Sequence, residues 1–201
     1  MQQALDQFNE NIRRANHLAE LASSLFAMTT PVIDVTDIYR ATVVQTVSAL
    51  DQFIHEIVRI GMLQSYRGIR PVTASHSNFR ISLSSAKIGF SDANCDTWLD
   101  QAIRDAHSWK AFQHPDKIAE AISLIFDGKL WVEVAKILDL EPKALRAELI
   151  TIVDRRNKIA HEADIDPTNP DQQWPINADL VSGAVGFIER LVVTIFKVIA
   201  I

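Results

Sequence analysis

An all-α fold follows from three features of the chain. Apolar residues recur at spacings of three and four over long stretches, no run alternates apolar and polar residues between hairpin-type turns, and most prolines fall where one periodic stretch stops or the next begins. At 201 residues with 48% hydrophobic content, the chain can bury one sizeable core. A single domain over residues 1–201 is expected, built as a bundle of five to seven helices.

A first helix is expected over residues 5–26, ended by Thr29-Thr30-Pro31 because proline disfavours helix in the residue before it. Thr36 or Asp37 offers an N-cap for a second helix. Its residues Val43, Val47, Leu50, Ile54 and Ile57 form one apolar stripe up to Gly61, so this helix is the expected spine of the bundle. Residues 64–91 hold Gly68, Pro71, Gly89 and many serines and read as a long irregular connection, within which residues 79–83 can extend locally. Connections of that length are uncommon in compact domains and often functional.

Helix resumes over residues 97–112, stops at His114-Pro115 and restarts over 116–126; Gly128 separates this from a helix over 129–138. Pro142 suits the first turn of a helix over 142–161, where its missing N–H costs nothing. Residues 166–170 end that helix, a polar loop continues through Trp174-Pro175, and the last helix covers 178–199.

Charged residues make up 22% of the chain, with six glycines and seven prolines, which excludes a disordered or fibrous protein. The lone Cys95 cannot form an internal disulfide and has no local signature of a nucleophile. The first residues lack the basic-then-apolar pattern of a secretion signal, so a cytoplasmic location is expected. Asp179, Glu189, Arg190 and Lys197 interrupt the most apolar region, which argues against a membrane span.

A net charge of −5 argues against a general grip on long nucleic acid. Distribution qualifies this. Residues 57–91 contain no Asp or Glu, while Arg59, Arg67, Arg70, Arg80 and Lys87 occur there with His76, Tyr66, Phe79 and Phe90. Residues 162–187 carry five acids and no Lys or Arg. The basic stretch is either an RNA-holding surface using Arg67, Arg70 and Arg80, or a solvated loop whose charges keep it soluble.

The chemistry concentrates on the helix after Pro142. Leu145, Leu149, Ile152, Arg156 and Ile159 follow the spacing of one face, which places an arginine in a core-facing slot. A buried guanidinium is costly unless a carboxylate, a phosphate or a polar cleft meets it. Asn157 and His161 are four apart, hence neighbours on an adjoining face. Histidine titrates near neutral pH and can move a proton, and arginine can hold a phosphate through two parallel hydrogen bonds. RNA brings its own nucleophile, the 2′-hydroxyl, so this pair suffices for phosphodiester cleavage without a metal. Read from spacing alone, surface or capping roles for both residues remain open.

Arg156-Asn157-Lys158-Ile159-Ala160-His161 resembles the R-x-x-x-x-H motif of HEPN domains, including the polar residue after the arginine and the apolar pair before the histidine. Residues 41–53, and more weakly Ser108-Trp109-Lys110-Ala111-Phe112 with Pro115-Asp116-Lys117-Ile118, are similar to the RiboL-PSP branch of that family. The resemblance spans residues 36–200. It implies a helical, dimeric protein of a family whose active members are RNases of toxin, antiviral and CRISPR systems, with the two motifs of a dimer forming one composite site. Arg156, His161 and Asn157 are then the catalytic candidates, RNA the substrate, and a homodimer and an antitoxin or defence-system protein the expected partners. In family members silenced by a nucleotidyltransferase, a tyrosine two residues after the histidine is modified; this chain has Ala163 there, which puts that control in doubt. Arg155 either contacts RNA or pairs with a carboxylate.

Other groupings are weaker. Asp51, His55 and Arg59 stand at four-residue steps, as a relay or as an ordinary charge ladder. No HExxH, cysteine pair or Gly-rich phosphate loop is present, so neither metal nor cofactor is expected. Trp98, Trp109 and Trp131 read as core fillers, and Trp174 as the one worth testing as a contact. The leading function is a metal-independent endoribonuclease acting as a toxin or defence effector. The alternative is a catalytically inactive HEPN-fold binding or dimerisation module.

Overall fold

A computed structural model describes residues 1–28, 33–91 and 96–200. Among these, nine helices and one small hairpin follow in the order α1 (Gln2–Met28), α2 (Thr36–Tyr66), α3 (Ala74–Ser77), α4 (Leu83–Ser91), α5 (Thr97–His107), α6 (Pro115–Ile122), α7 (Leu130–Leu138), α8 (Pro142–His161), β1 (Ile165–Asp166), β2 (Asn169–Gln173) and α9 (Ala178–Ile199). The expected stop at Thr29-Thr30-Pro31 and the lone Cys95 lie outside the described residues.

The spine is α2, which packs against α1, α5, α6, α8 and α9. Its expected stripe is real: Val43, Val47, Leu50, Ile54 and Ile57 are all buried. Further positions are buried as well, among them Thr42, Thr46, Phe53 and Met62, because partners cover α2 on more than one side. The hydroxyls of Thr42 and Thr46 donate to the carbonyls four residues earlier, at 2.9 and 2.8 Å, which satisfies them inside the core.

Gly61 was expected to close α2, yet the helix continues to Tyr66. A Cβ at Gly61 would come within 2.7 Å of Ile125, so glycine there admits a neighbour rather than ending a helix. The expected loop of residues 64–91 also differs, for it holds α3 and α4. Thr73 Oγ1 accepts the His76 N–H and Ser82 Oγ accepts the Ser85 N–H, so residues that read as loop formers act as helix starters. These two short helices bring the number above the expected five to seven. Residues 79–83 form no strand.

The helix expected over 97–112 stops at His107, and the one expected over 116–126 is α6, ending at Ile122. The bounds of α8 and α9 agree with expectation, with Pro142 in the first turn of α8 and the Asn177 side chain capping α9 by accepting the Leu180 N–H. The segment between them, expected to be a plain loop, forms the β1–β2 hairpin, antiparallel with Asp166 opposite Asn169. Polar residues fill β2, so no apolar alternation announced it.

Candidate functional site

The last turns of α8 carry the motif residues, and the burial of α8 explains their setting. Leu145, Leu149 and Val153 are its buried line, packed toward α2 and α7. Ile152, Arg156 and Ile159 are only half-buried. Arg156 therefore lies at the edge of the apolar face, not in its centre as the spacing suggested, because the buried line steps to Val153 and leaves Arg156 on the flank. Its Nη1 donates to Asn157 Oδ1 at 3.0 Å, and its Nε is buried without a hydrogen-bond partner among the described residues. His161 is exposed, and its ring has no hydrogen bond or ion pair among the described residues. Between them, the Lys158 ammonium sits 5.1 Å from the centre of the Trp174 ring.

Beyond His161 the chain turns sharply. Ala163 and Asp164 both take positive φ, +52° and +58°, in the left-handed region that side-chain-bearing residues seldom occupy. Asp164 is fully buried, and its Oδ2 accepts from Arg40 Nε and Arg155 Nη2, each at 2.8 Å. Both arginines also donate to the Trp174 carbonyl at 3.0 Å, and Arg155 donates to the Pro175 carbonyl at 3.1 Å. Arg40 reaches back to Thr36 Oγ1 at 2.6 Å. Burial lowers the Arg155 pKa from its ordinary value, against the opposing pull of Asp164. Of the two readings of Arg155, pairing with a carboxylate is the one present.

Arg40 and Asp164 were missed in the sequence. A signal existed for Arg40, which stands three before Val43 and so extends the buried stripe of α2. The rule that a core-facing arginine needs a carboxylate holds here better than at Arg156. Its partner lies 124 residues away, a separation that no local pattern reveals.

The basic stretch is largely neutralised by tertiary partners. Arg59 bridges Glu56 and Asp100, each at 2.7 Å, and despite burial these carboxylates hold its pKa above the ordinary value. Arg67 pairs with Asp96 at 2.6 Å. Arg70 donates to the carbonyls of Ile199 at 2.6 Å and Ile125 at 3.3 Å and touches Met1 Sδ, and burial lowers its pKa. The absence of acids within residues 57–91 thus does not leave five charges unopposed, because acids and carbonyls arrive from elsewhere. Arg80 and Lys87 are exposed, without a side-chain partner among the described residues.

Of the Asp51–His55–Arg59 steps only the first is a contact, His55 Nε2 standing 4.0 Å from Asp51 Oδ1, and it does not continue to Arg59. Asp51 accepts the Phe112 N–H, His55 Nε2 lies 3.2 Å from the Lys110 carbonyl, and Arg59 turns to its carboxylates. Beside His55 is a histidine that the sequence reading passed over. His107 is buried among the rings of His55, Phe79 and Phe112, and neither ring nitrogen has a hydrogen bond among the described residues. Burial, then the charges of Lys110 and His55, push its pKa down to about 4. Leu99, Ile103 and His107 at four-residue steps were the available signal.

Trp131 is a core filler, donating to the Pro115 carbonyl at 3.0 Å, and Trp98 is partly buried; Trp109, expected in the core, is 78% exposed. Among the described residues no three His, Cys, Asp or Glu side chains are grouped to hold a metal, and no helix is long and apolar enough to cross a membrane.

An all-helical bundle whose long penultimate helix ends in Arg156, Asn157 and His161 is the architecture that the HEPN class leads one to expect. The chain matches the family model described as RiboL-PSP-HEPN over residues 9–200, and it belongs to that family. The match takes in most of α1 as well as the region from residue 36 onward. Neither a search of curated proteins nor one of solved structures gives a match. Membership is compatible with ribonuclease chemistry.

Proposed function

We propose that this protein is a metal-independent endoribonuclease of toxin or defence type, acting through Arg156 and His161 with Asn157 as the orienting group. One observation carries the reading: Arg156 is held by Asn157 at the flank of α8 while His161, one turn beyond Asn157, stays exposed and free of side-chain partners among the described residues. A proton-transfer group must be accessible to its substrate, and a phosphate-gripping arginine must be oriented.

The same geometry favours a composite site. Residues five apart on a helix point about 140° away from each other, so one copy of α8 does not set Arg156 and His161 side by side. Two antiparallel copies related by a two-fold axis would bring the arginine of one toward the histidine of the other. In the reaction, a histidine removes the proton of the 2′-hydroxyl, that oxygen attacks the adjacent phosphorus, and the bond from phosphorus to the 5′-oxygen breaks as that oxygen takes a proton from a protonated histidine of the site. Arginine stabilises the charge gathering on the phosphate oxygens.

The test is cleavage of labelled single-stranded RNA in chelator. The expected products end in a 2′,3′-cyclic phosphate, and a 2′-deoxy residue at the cut site stops the reaction. His161→Ala should lower the rate by about 10² to 10⁴ with RNA affinity kept, and Arg156→Lys should also impair it, because lysine lacks the planar fork. Uniform 5′-phosphate and 3′-hydroxyl ends, or activity restored only by magnesium, would sink the mechanism. RNA binding or dimerisation with no cleavage at all would favour the inactive-module alternative.

A further inference from the structure

We infer that Arg40, Asp164 and Arg155 form a clamp that positions the motif end of α8, so that the competence of the site is set by residues that do not touch RNA. The inference rests on the reading of His161 and Arg156 as reactive groups, but the clamp itself is a claim about structure that can be tested without cleavage.

His161 is the last residue of α8, and the next three residues decide how that end is held. The N–H groups of Glu162 and Asp164 both donate to the Lys158 carbonyl, at 2.9 and 3.0 Å, which closes the helix within the motif itself. That closure requires Ala163 and Asp164 in the left-handed region, a conformation that costs about 1 kcal/mol or more per side-chain-bearing residue and persists only when surroundings enforce it. The enforcing contacts are those of the Asp164 carboxylate. One of its oxygens takes a hydrogen bond from α2 through Arg40 and one from α8 through Arg155, both at 2.8 Å.

The same two guanidinium groups hold the far end of the hairpin. Each donates to the Trp174 carbonyl at 3.0 Å, and the Trp174 N–H donates to the Asp164 carbonyl at 2.8 Å. Trp174 in turn places its ring against Lys158, midway through the motif. The loop that leaves His161 and the strand that returns to it are therefore fixed to the spine of the bundle at one point. Arg155 turned inward also sets the rotation of the helix end, since Arg156 must then point about 100° away, onto the flank where Asn157 holds it. A buried carboxylate shared by two arginines is a poor choice if stability alone is at issue, because desolvating the charges offsets much of their attraction; its return is a defined geometry.

The test compares Asp164→Asn and Arg155→Lys with the unaltered protein. Asparagine keeps an oxygen able to accept a hydrogen bond but removes the charge that gathers both arginines. Four readings are taken on the full chain: thermal unfolding, hydrogen exchange of amides 162–174, the ring chemical shifts of His161 by NMR at one fixed pH, and cleavage resolved into kcat and KM. The expected result for Asp164→Asn is exchange faster by at least about tenfold in residues 162–174 with α1 and α9 unaffected, displaced His161 ring chemical shifts, and kcat lower by roughly 10- to 100-fold at a KM within about twofold. Arg155→Lys, which keeps the charge, should fall between.

Unchanged exchange and unchanged His161 ring shifts would overturn the clamp. So would a lower melting temperature accompanied by unaltered kcat per folded molecule, since that describes a merely structural ion pair. Should Asp164→Asn fail to fold, Arg155→Lys decides on the same readings. Absence of His161-dependent cleavage in the unaltered protein would remove the ribonuclease reading, and exchange with the histidine ring shifts would still decide whether the clamp positions His161.

Discussion

Two regions of this molecule carry clustered arginines and end up in different states. In residues 57–91 the arginines stand in a stretch without a single acid, yet Arg59 and Arg67 meet carboxylates from Glu56, Asp100 and Asp96, and Arg70 meets two backbone carbonyls. At the end of α8 the adjoining sequence is rich in acid, yet of the acids in 162–187 only Asp164 is buried, and it takes Arg40 and Arg155 while Arg156 and His161 have no carboxylate partner among the described residues. Charge composition along the chain therefore does not show which charges stay unpaired: among the described residues Arg80 and Lys87 remain without a side-chain partner in the first region, and Arg156 without an ion pair in the second. What marks a candidate site is the charge left over after tertiary pairing.

Removing one acid from each region should affect the protein to very different extents. Asp164→Ala should lower stability by about 3–5 kcal/mol, since the buried Arg40 and the half-buried Arg155 lose their shared counter-charge. Asp96→Ala, whose partner Arg67 has a side chain 52% exposed, should cost at most about 1 kcal/mol. Denaturant unfolding of both variants decides: similar losses would mean that burial does not separate the regions as argued.

A second measurement concerns His107, on the side of α2 that the basic stretch adjoins. The unfolded chain takes up this proton near the ordinary histidine pKa of 6.5, and the folded protein only near about 4. The unfolded state thus binds more protons between those values, so this contribution is fully present above pH 6.5 and is lost as pH falls toward 4, by up to about 3 kcal/mol. His107→Phe, placed among aromatic neighbours and free of unsatisfied nitrogens, should flatten that part of the stability profile. An unaltered acid slope in the variant would show that His107 does not titrate as its burial requires.

The smallest effects belong to the basic stretch itself. Charge reversal at Arg80, exposed and without a partner among the described residues, should weaken RNA binding several-fold at low salt, with the loss shrinking as salt rises. Arg67→Glu should do less, because Asp96 already offsets that charge. Arg70→Glu belongs in the stability series, since its donors hold Ile125 and Ile199. Filter binding across a salt series checks this: equal and salt-independent affinities for Arg80→Glu and the unaltered protein would remove the stretch from any account of RNA recognition.

How much was legible beforehand follows from the range of the interactions. By itself, the sequence determined the helical class, the α2 spine, the bounds of α8 and α9 and the motif from Arg156 to His161, because helical periodicity and proline placement act within a few residues of one another. It could not determine that Gly61 lets α2 run on beside Ile125, that serine and threonine start α3 and α4 inside an apparent loop, or that polar residues after α8 fold into a hairpin. Nor could it give the pairing of Arg40 with Asp164, 124 residues apart, or the neutralisation of Arg67 by an acid 29 residues on. Those outcomes were decided only by the tertiary structure: whether a charge is buried, paired or free depends on distances through space, and a helix that looks the same from its own residues acquires the setting of its end from whatever the rest of the chain packs beside it.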